Sequence, residues 1–144
     1  MSDSRYNALK LENQICFPLY AASREIIKQY KPFLDELDLT YTQYITMMLV
    51  WEKKTLTVKE IGEYLYLDSG TMTPLLKKLE AKGFITRTRS IEDERNLNIT
   101  ITDKGEKLKE QAIKVPAKMA ECSALKPEEA AMLYRILYKI LGKA

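Results

Sequence analysis

Residues 56–105, LTVKEIGEYLYLDSGTMTPLLKKLEAKGFITRTRSIEDERNLNITITDKG, carry the pattern that decides the fold. Thr57-Val58-Lys59-Glu60 has the spacing of a capping box, in which a threonine hydroxyl and a glutamate three residues on satisfy each other's open backbone donors and start a helix. Ile61 and Leu65 then fall on one face of that helix. Tyr66-Leu67-Asp68 makes a turn, Ser69 is a suitable cap for a second helix, and Met72, Leu75, Leu76 and Leu79 follow the i, i+3, i+4, i+7 spacing of a buried stripe. Gly83 closes this helix as a left-handed residue just past its end. Pro74 lies beyond the first turn and removes one backbone bond.

The stretch continues with two alternating segments, 84–90 and 96–102, in which Leu97, Ile99 and Ile101 share a face and the charged run Ile91-Glu92-Asp93-Glu94-Arg95 joins the strands. Helix, turn, helix and hairpin in that order form a winged helix-turn-helix within a mainly α (α+β) chain. Opposite the buried stripe of the second helix lie Thr73, Lys77 and Ala81, with Lys78 at the margin and Ser69, Gly70 and Thr71 at the helix start. Short hydroxyls can bond phosphates or bases while lysines neutralise backbone charge, so this face fits a major groove. It also fits an ordinary solvated helix surface. The hairpin concentrates Arg87, Arg89 and Arg95 on a protruding ribbon. An arginine at its tip suits the deep negative potential of a narrow minor groove, and Asp93 can orient the Arg95 guanidinium. A solvated hairpin with local ion pairs is the alternative.

The segment DSGTMTPLLKKLEAKGFITRTRSIEDERNLNITITDKG resembles the recognition helix and wing of the MarR family of transcriptional regulators. The family's D-x-R of the wing is matched by Asp93-Glu94-Arg95, and the L/I-T-x-x-G that follows a strand is matched by Ile101-Thr102-Asp103-Lys104-Gly105. KLENQICFPLYAASREIIKQYKP near the N-terminus and LYLDSGT in the middle are similar to the organic-hydroperoxide-sensing repressors of that family. The likeness spans residues 8–115. It implies a winged helix-turn-helix with long N- and C-terminal dimerisation helices, a homodimer, and double-stranded DNA with a pseudo-palindromic operator as the partner.

Beyond that stretch, 144 residues with 46% hydrophobic content fit one compact domain, expected to comprise residues 8–55 as dimerisation and sensor helices, 56–105 as the winged unit and 106–144 as C-terminal dimerisation helices. The net charge of +3 excludes a polybasic coat protein, so nucleic-acid binding has to come from local clusters. There is no histidine, and the two cysteines, Cys16 and Cys122, are too few for a structural zinc site, so no metal or cofactor is expected. No signal-like core opens the chain and its longest apolar run, Tyr44 to Trp51, is too short to span a bilayer. A cytoplasmic protein with reduced thiols and no membrane association is expected.

Residues 9–31 form an amphipathic stretch that reads as helical, with Pro18 either kinking it or standing in the first turn of a fresh helix. In the second case Cys16 sits at a helix N-terminus, where the dipole favours a thiolate. Residues 40–51 read as a mostly buried helix. Thr102 caps another, which Pro116 should bend or break. A last helix begins at Lys126-Pro127-Glu128-Glu129 and carries a broad stripe through Ile136, Leu137, Ile140 and Leu141. That stripe serves subunit pairing or packing within one chain.

Tyr20, Tyr30 and Tyr41 flank Cys16 among nine tyrosines. A phenol can donate to a thiolate and stabilise it. The resemblance places a redox-sensing role on Cys16 and hydrogen-bonding roles on Tyr30 and Tyr41, reaching across from the partner subunit, with Tyr20 nearby. Cys122 is either an inert residue or a resolving thiol. Three functions compete: a repressor released from DNA when organic hydroperoxide oxidises Cys16, a regulator of the same fold answering a small aromatic ligand, and a thiol peroxidase. The reading head has no use in catalysis, and neither a histidine nor an adjacent arginine stands ready to activate a peroxide, so the chain is expected not to be an enzyme.

Overall fold

The computed structural model describes residues 4–89 and 97–143. In chain order these contain α1 (Cys16–Asp35), α2 (Tyr41–Lys53), β1 (Thr55–Thr57), α3 (Val58–Leu65), α4 (Ser69–Ala81), β2 (Ile85–Arg89), β3 (Leu97–Ile101), α5 (Asp103–Ala112), α6 (Val115–Glu121) and α7 (Pro127–Ile140). The winged helix-turn-helix expected from the sequence is α3, α4 and the β2–β3 hairpin.

Local chemistry accounts for most of the boundaries. Thr57 caps α3 by accepting the Glu60 N–H at 3.1 Å while the Glu60 carboxylate takes the Thr57 N–H at 3.2 Å. Thr40 and Gln43 start α2 in the same reciprocal way. Thr102 accepts from the Gly105 N–H and starts α5, and Pro127 stands in the first turn of α7. α4 differs by one residue: Asp68, not Ser69, is its cap, accepting the Thr71 N–H at 2.7 Å. Both are good capping types, and a carboxylate adds a charge that the helix N-terminus favours. Pro74 stays inside α4, because burial of Met72, Leu75, Leu76 and Leu79 outweighs one lost bond on the exposed side. Gly83 has φ +84° and closes the helix as expected.

Of the two readings of the 9–31 stretch, the structure has the fresh helix with Pro18 in its first turn, and the residues before it are not α-helical. Residues Ser4–Leu9 and Leu11–Asn13 form two short 3₁₀ turns, and α1 begins only at Cys16 with Pro18 third. At that position proline's missing N–H costs nothing, because the first four N–H groups of a helix have no partner within it. Upstream, the Asn13 amide donates to Asn7 O and the Gln14 amide to Ala8 O and Lys10 O, taking acceptors a helix would use. Pro116 breaks rather than bends: α5 ends at Ala112, and α6 starts with the proline in its first turn.

β1 is the element the sequence did not disclose. It joins the hairpin in the order β1-β3-β2, with Leu56 opposite Ile99. The hairpin register pairs Ile85 with Ile101 and Arg89 with Leu97. Helix α2 runs through the centre of the molecule, touching α1, α3, α4, α5 and the sheet, and buries Tyr44, Met47, Val50 and Trp51. Its Trp51 indole donates to the Gly105 carbonyl at 2.8 Å, tying α2 to the start of α5. Gly105 has to be glycine there, since a Cβ would stand 2.3 Å from the Phe84 carbonyl oxygen.

Candidate nucleic-acid interface and redox site

The reading face is built on α4. With Met72, Leu75, Leu76 and Leu79 turned into the core, Ser69, Gly70, Thr71, Thr73, Lys77 and Lys78 are left exposed. The Thr73 hydroxyl donates to Ser69 O at 2.9 Å, which leaves its oxygen lone pairs outward. Bonds from Thr71 hold the Asp68 carboxyl below the usual carboxylate range, so the cap stays ionised at neutral pH. Between α3, α4 and the first residue of β3 lies a hollow of about 500 Å³ with Lys59, Ser69 and Thr73 on its rim.

On the wing the arginines part company. Arg87 is engaged by Glu80: its backbone N–H, Nε and Nη2 all meet that carboxylate at 3.0 Å. Arg89 is exposed at the end of β2. Asp93 and Arg95 lie outside the described residues. Glu80 went unnoticed in the sequence because its partner lies beyond the Gly83 turn on a strand, where the helix period that places Glu80 no longer applies.

The redox candidates divide into two places. Cys16 is exposed as the first residue of α1, with Tyr20 one turn on, where the Tyr20 hydroxyl accepts a 2.7 Å hydrogen bond from Arg24. Tyr30, near the other end of α1, packs with Tyr41 and Tyr44 of α2, ring centroids 5.0 Å and 5.8 Å away. Burial pushes all three phenols above their ordinary pKa, with mutual repulsion adding to the effect on Tyr41 and Tyr44, so each keeps its proton at neutral pH and can donate. The helix separates Cys16 from Tyr30 by about 21 Å of rise at 1.5 Å per residue. Within one chain the thiol and the tyrosine cluster do not meet. Tyr44 was missed as a member of the cluster because it sits in an apolar helix where an aromatic reads as core.

Cys122 is exposed at the end of α6. That short helix packs on α1, where Lys118 lies over the Phe33 ring and pairs with Glu36 at 3.5 Å. Apolar side chains stand uncovered on both terminal helices: Ile15, Phe17, Leu19, Ile26 and Ile27 at and along α1, and Met132, Leu133, Tyr134, Ile136 and Ile140 on α7, which buries none of its residues. Among the described residues no group of side chains could hold a metal ion, and no helix is long and apolar enough to cross a membrane.

Comparison with known proteins gives this geometry a family. The family described as transcriptional regulator SarA/Rot matches residues 28–112. The organic hydroperoxide resistance transcriptional regulator of Bacillus subtilis is 51% identical over 139 residues, covering 96% of this chain and 95% of the relative. Reduced AbfR bound to DNA superposes with a TM-score of 0.79 at 33% identity, over 96% of each chain, and a crystal structure of AbfR of Staphylococcus epidermidis superposes with a TM-score of 0.76 at 32% identity, over 97% of each chain. A mutant of MarR from E. coli complexed with operator DNA shares the fold, with a TM-score of 0.80 at 23% identity over 97% of this chain and 99% of MarR. The chain belongs to the SarA/Rot family of transcriptional regulators, shares the winged-helix fold of MarR, and is a regulator, not an enzyme.

Proposed function

We propose that the protein is a cytoplasmic repressor that binds a pseudo-palindromic operator in double-stranded DNA as a two-fold homodimer and leaves it when organic hydroperoxide oxidises Cys16. The observation that carries this reading is the exposed position of Cys16 on the first turn of α1, in a chain so similar to an organic hydroperoxide regulator. In the reaction the Cys16 thiolate attacks the outer peroxide oxygen, the O–O bond breaks, and the alkoxide leaves as an alcohol after taking a proton. Sulfur is oxidised to a sulfenic acid and the peroxide is reduced.

Residues 8–55 and 106–144 supply the subunit contact in this account, and residues 56–105 read DNA. The uncovered apolar faces of α1 and α7 support pairing, because monomeric proteins rarely leave such contiguous patches in water. Two recognition helices related by a two-fold axis then read matching half-sites. On each subunit Ser69, Gly70, Thr71 and Thr73 approach base edges and phosphates, Lys77, Lys78 and Arg89 neutralise backbone charge, and Arg95, oriented by Asp93, enters a flanking minor groove. The partner's Tyr30 and Tyr41 donate to Cys16, with Tyr20 of the same subunit beside it. Cys122 is a resolving thiol only if an intersubunit disulfide follows the sulfenic acid. A gel shift on a duplex enriched by the protein from a random library, with and without cumene hydroperoxide, tests the reading: complex lost on oxidation and restored by a thiol supports it, and an oxidant-blind complex contradicts it.

A further inference from the structure

We propose that Glu80 and Arg87 form a strut that sets the angle of the wing against the reading helix, so that Arg87 is a positioning residue that does not itself touch DNA. The proposal rests on the reading that α4 and the wing engage DNA together.

Glu80 lies on the last turn of α4, and Arg87 is the central residue of β2, an outer strand of the sheet. One carboxylate collects three donors from that single residue. Oε2 accepts the Arg87 N–H, which faces the open edge of the sheet, and Oε1 accepts both Nε and Nη2, all at 3.0 Å. Arg87 is the more sheltered partner, its side chain 23% exposed against 37% for Glu80. The pairing holds the Glu80 carboxyl below the usual range, with the Arg87 side-chain bond as the largest cause.

Other ties between the end of α4 and the wing lie at the base of the hairpin. The backbone turns at Gly83, the Thr102 hydroxyl donates to Gly83 O at 2.6 Å, and the Phe84 N–H returns to Leu79 O at 3.1 Å. These fix where the wing starts. Arg87 sits three residues, about 10 Å, farther along the strand. A tie at that distance controls direction, because a small rotation about the Gly83 turn is resisted with a longer lever. The planar fork of arginine suits this task, since it meets a carboxylate in a fixed orientation, whereas a lysine ammonium does not. The Nε and Nη2 edge of the Arg87 fork is taken by Glu80, so a phosphate could reach that edge only by displacing the carboxylate, which itself repels phosphate.

The test uses the full-length reduced protein and two duplexes, one enriched from a random library and its counterpart with G·C flanks, titrated across a salt series. Strut action predicts that Arg87→Gln and Glu80→Gln each lose about tenfold of the preference for the A·T-rich flank. The double variant should lose no more than either, and the slope of log affinity against log salt should stay at the parent's value. Arg87→Lys, which keeps the charge and folds if the glutamine variants do not, should show the same loss. A salt slope reduced by about one in Arg87→Gln, parent-like binding by Arg87→Lys, or tighter binding by Glu80→Gln would each make Arg87 a direct phosphate contact and overturn the proposal. Arg95→Ala serves as the separate control for wing reading: parent-like flank preference in that variant refutes the DNA role of the wing tip without bearing on whether Glu80 and Arg87 act as a pair.

Discussion

Cys16 and Tyr30 stand on one helix about 21 Å apart, too far for the tyrosine to bond the thiol of its own chain. If the pair works together, it does so between subunits. Mixed dimers test this. A dimer of one Cys16→Ser subunit and one Tyr30→Phe subunit retains one complete composite site, so half of its sites should oxidise at the parent rate. With both changes on the same subunit and a parent partner, each composite site lacks one member, and fast oxidation should disappear. Stopped-flow thiol consumption distinguishes the two arrangements. Equal rates for both would remove the intersubunit role of Tyr30.

Pairing itself should depend on the uncovered stripe of α7. Ile136→Glu with Ile140→Glu places two charges on a face that is apolar and exposed in one chain, so the monomer's fold should survive while the dimer does not. Sedimentation should then give one subunit's mass, with DNA binding weakened by loss of the second half-site. An intact dimer would move the interface elsewhere.

The lysines of α4 and the arginine of the wing should fail differently. Lys77→Ala and Lys78→Ala are each expected to weaken binding to all duplexes alike and to reduce the salt slope by about one. Arg95→Ala should lose about 1–3 kcal/mol, concentrated on sites with narrow A·T-rich flanks. Uniform weakening by Arg95→Ala would make it another phosphate contact.

Most of the reading head was legible because its signals are local. Thr57 with Glu60, Thr102 with Gly105 and the four-residue stripe of α4 each fit inside one turn or two. β1 was not legible: it has three residues, one of which, Thr57, is already the cap of α3, and it exists only because Leu56 finds Ile99 more than forty residues away. The start of α1 has two readings in the sequence because Leu9, Leu11 and Ile15 extend the apolar stripe upstream of Pro18; side-chain amides of Asn13 and Gln14 claim the backbone acceptors there, and the helix starts fresh at Cys16. At the site, Arg87 looked like its neighbour Arg89, and only folding brings Glu80 to it. The tyrosine cluster was partly visible; its third member, Tyr44, became so only when α1 and α2 packed.

The joint between α2 and α5 makes a stability prediction. Trp51→Phe removes the indole bond to the buried Gly105 carbonyl and should cost about 0.5–1.5 kcal/mol by chemical denaturation. Gly105→Ala drives a methyl against Phe84 O and should cost about 1–3 kcal/mol through overpacking. A neutral outcome for either would mean that this corner relaxes freely.

Acid should loosen the molecule in a defined window. Asp68, Glu80 and Glu106 all have carboxyls held low, by Thr71, Arg87 and Lys54 respectively. A depressed folded pKa gives stability that is complete above the ordinary carboxylate values of 3.8 and 4.5 and is lost as pH falls below them. With no histidine in the chain, no imidazole adds a step between. The melting temperature should therefore be flat from neutral pH down to about 5 and fall below it. Glu80→Gln should flatten part of that fall. At the alkaline end Tyr30, Tyr41 and Tyr44, whose pKa values are raised, stabilise the fold below 10.0 and stop doing so as pH rises past their folded values.

Operator release by the Cys16→Ser protein tests the central claim most directly. Serine nearly matches the volume of the thiol but cannot form a sulfenic acid, so this variant should bind the enriched duplex with the parent's affinity. Under cumene hydroperoxide the parent should dissociate and Cys16→Ser should stay bound, with mass spectrometry finding the added oxygen on Cys16 of the parent. Dissociation of Cys16→Ser at the parent's rate and peroxide concentration would contradict the account.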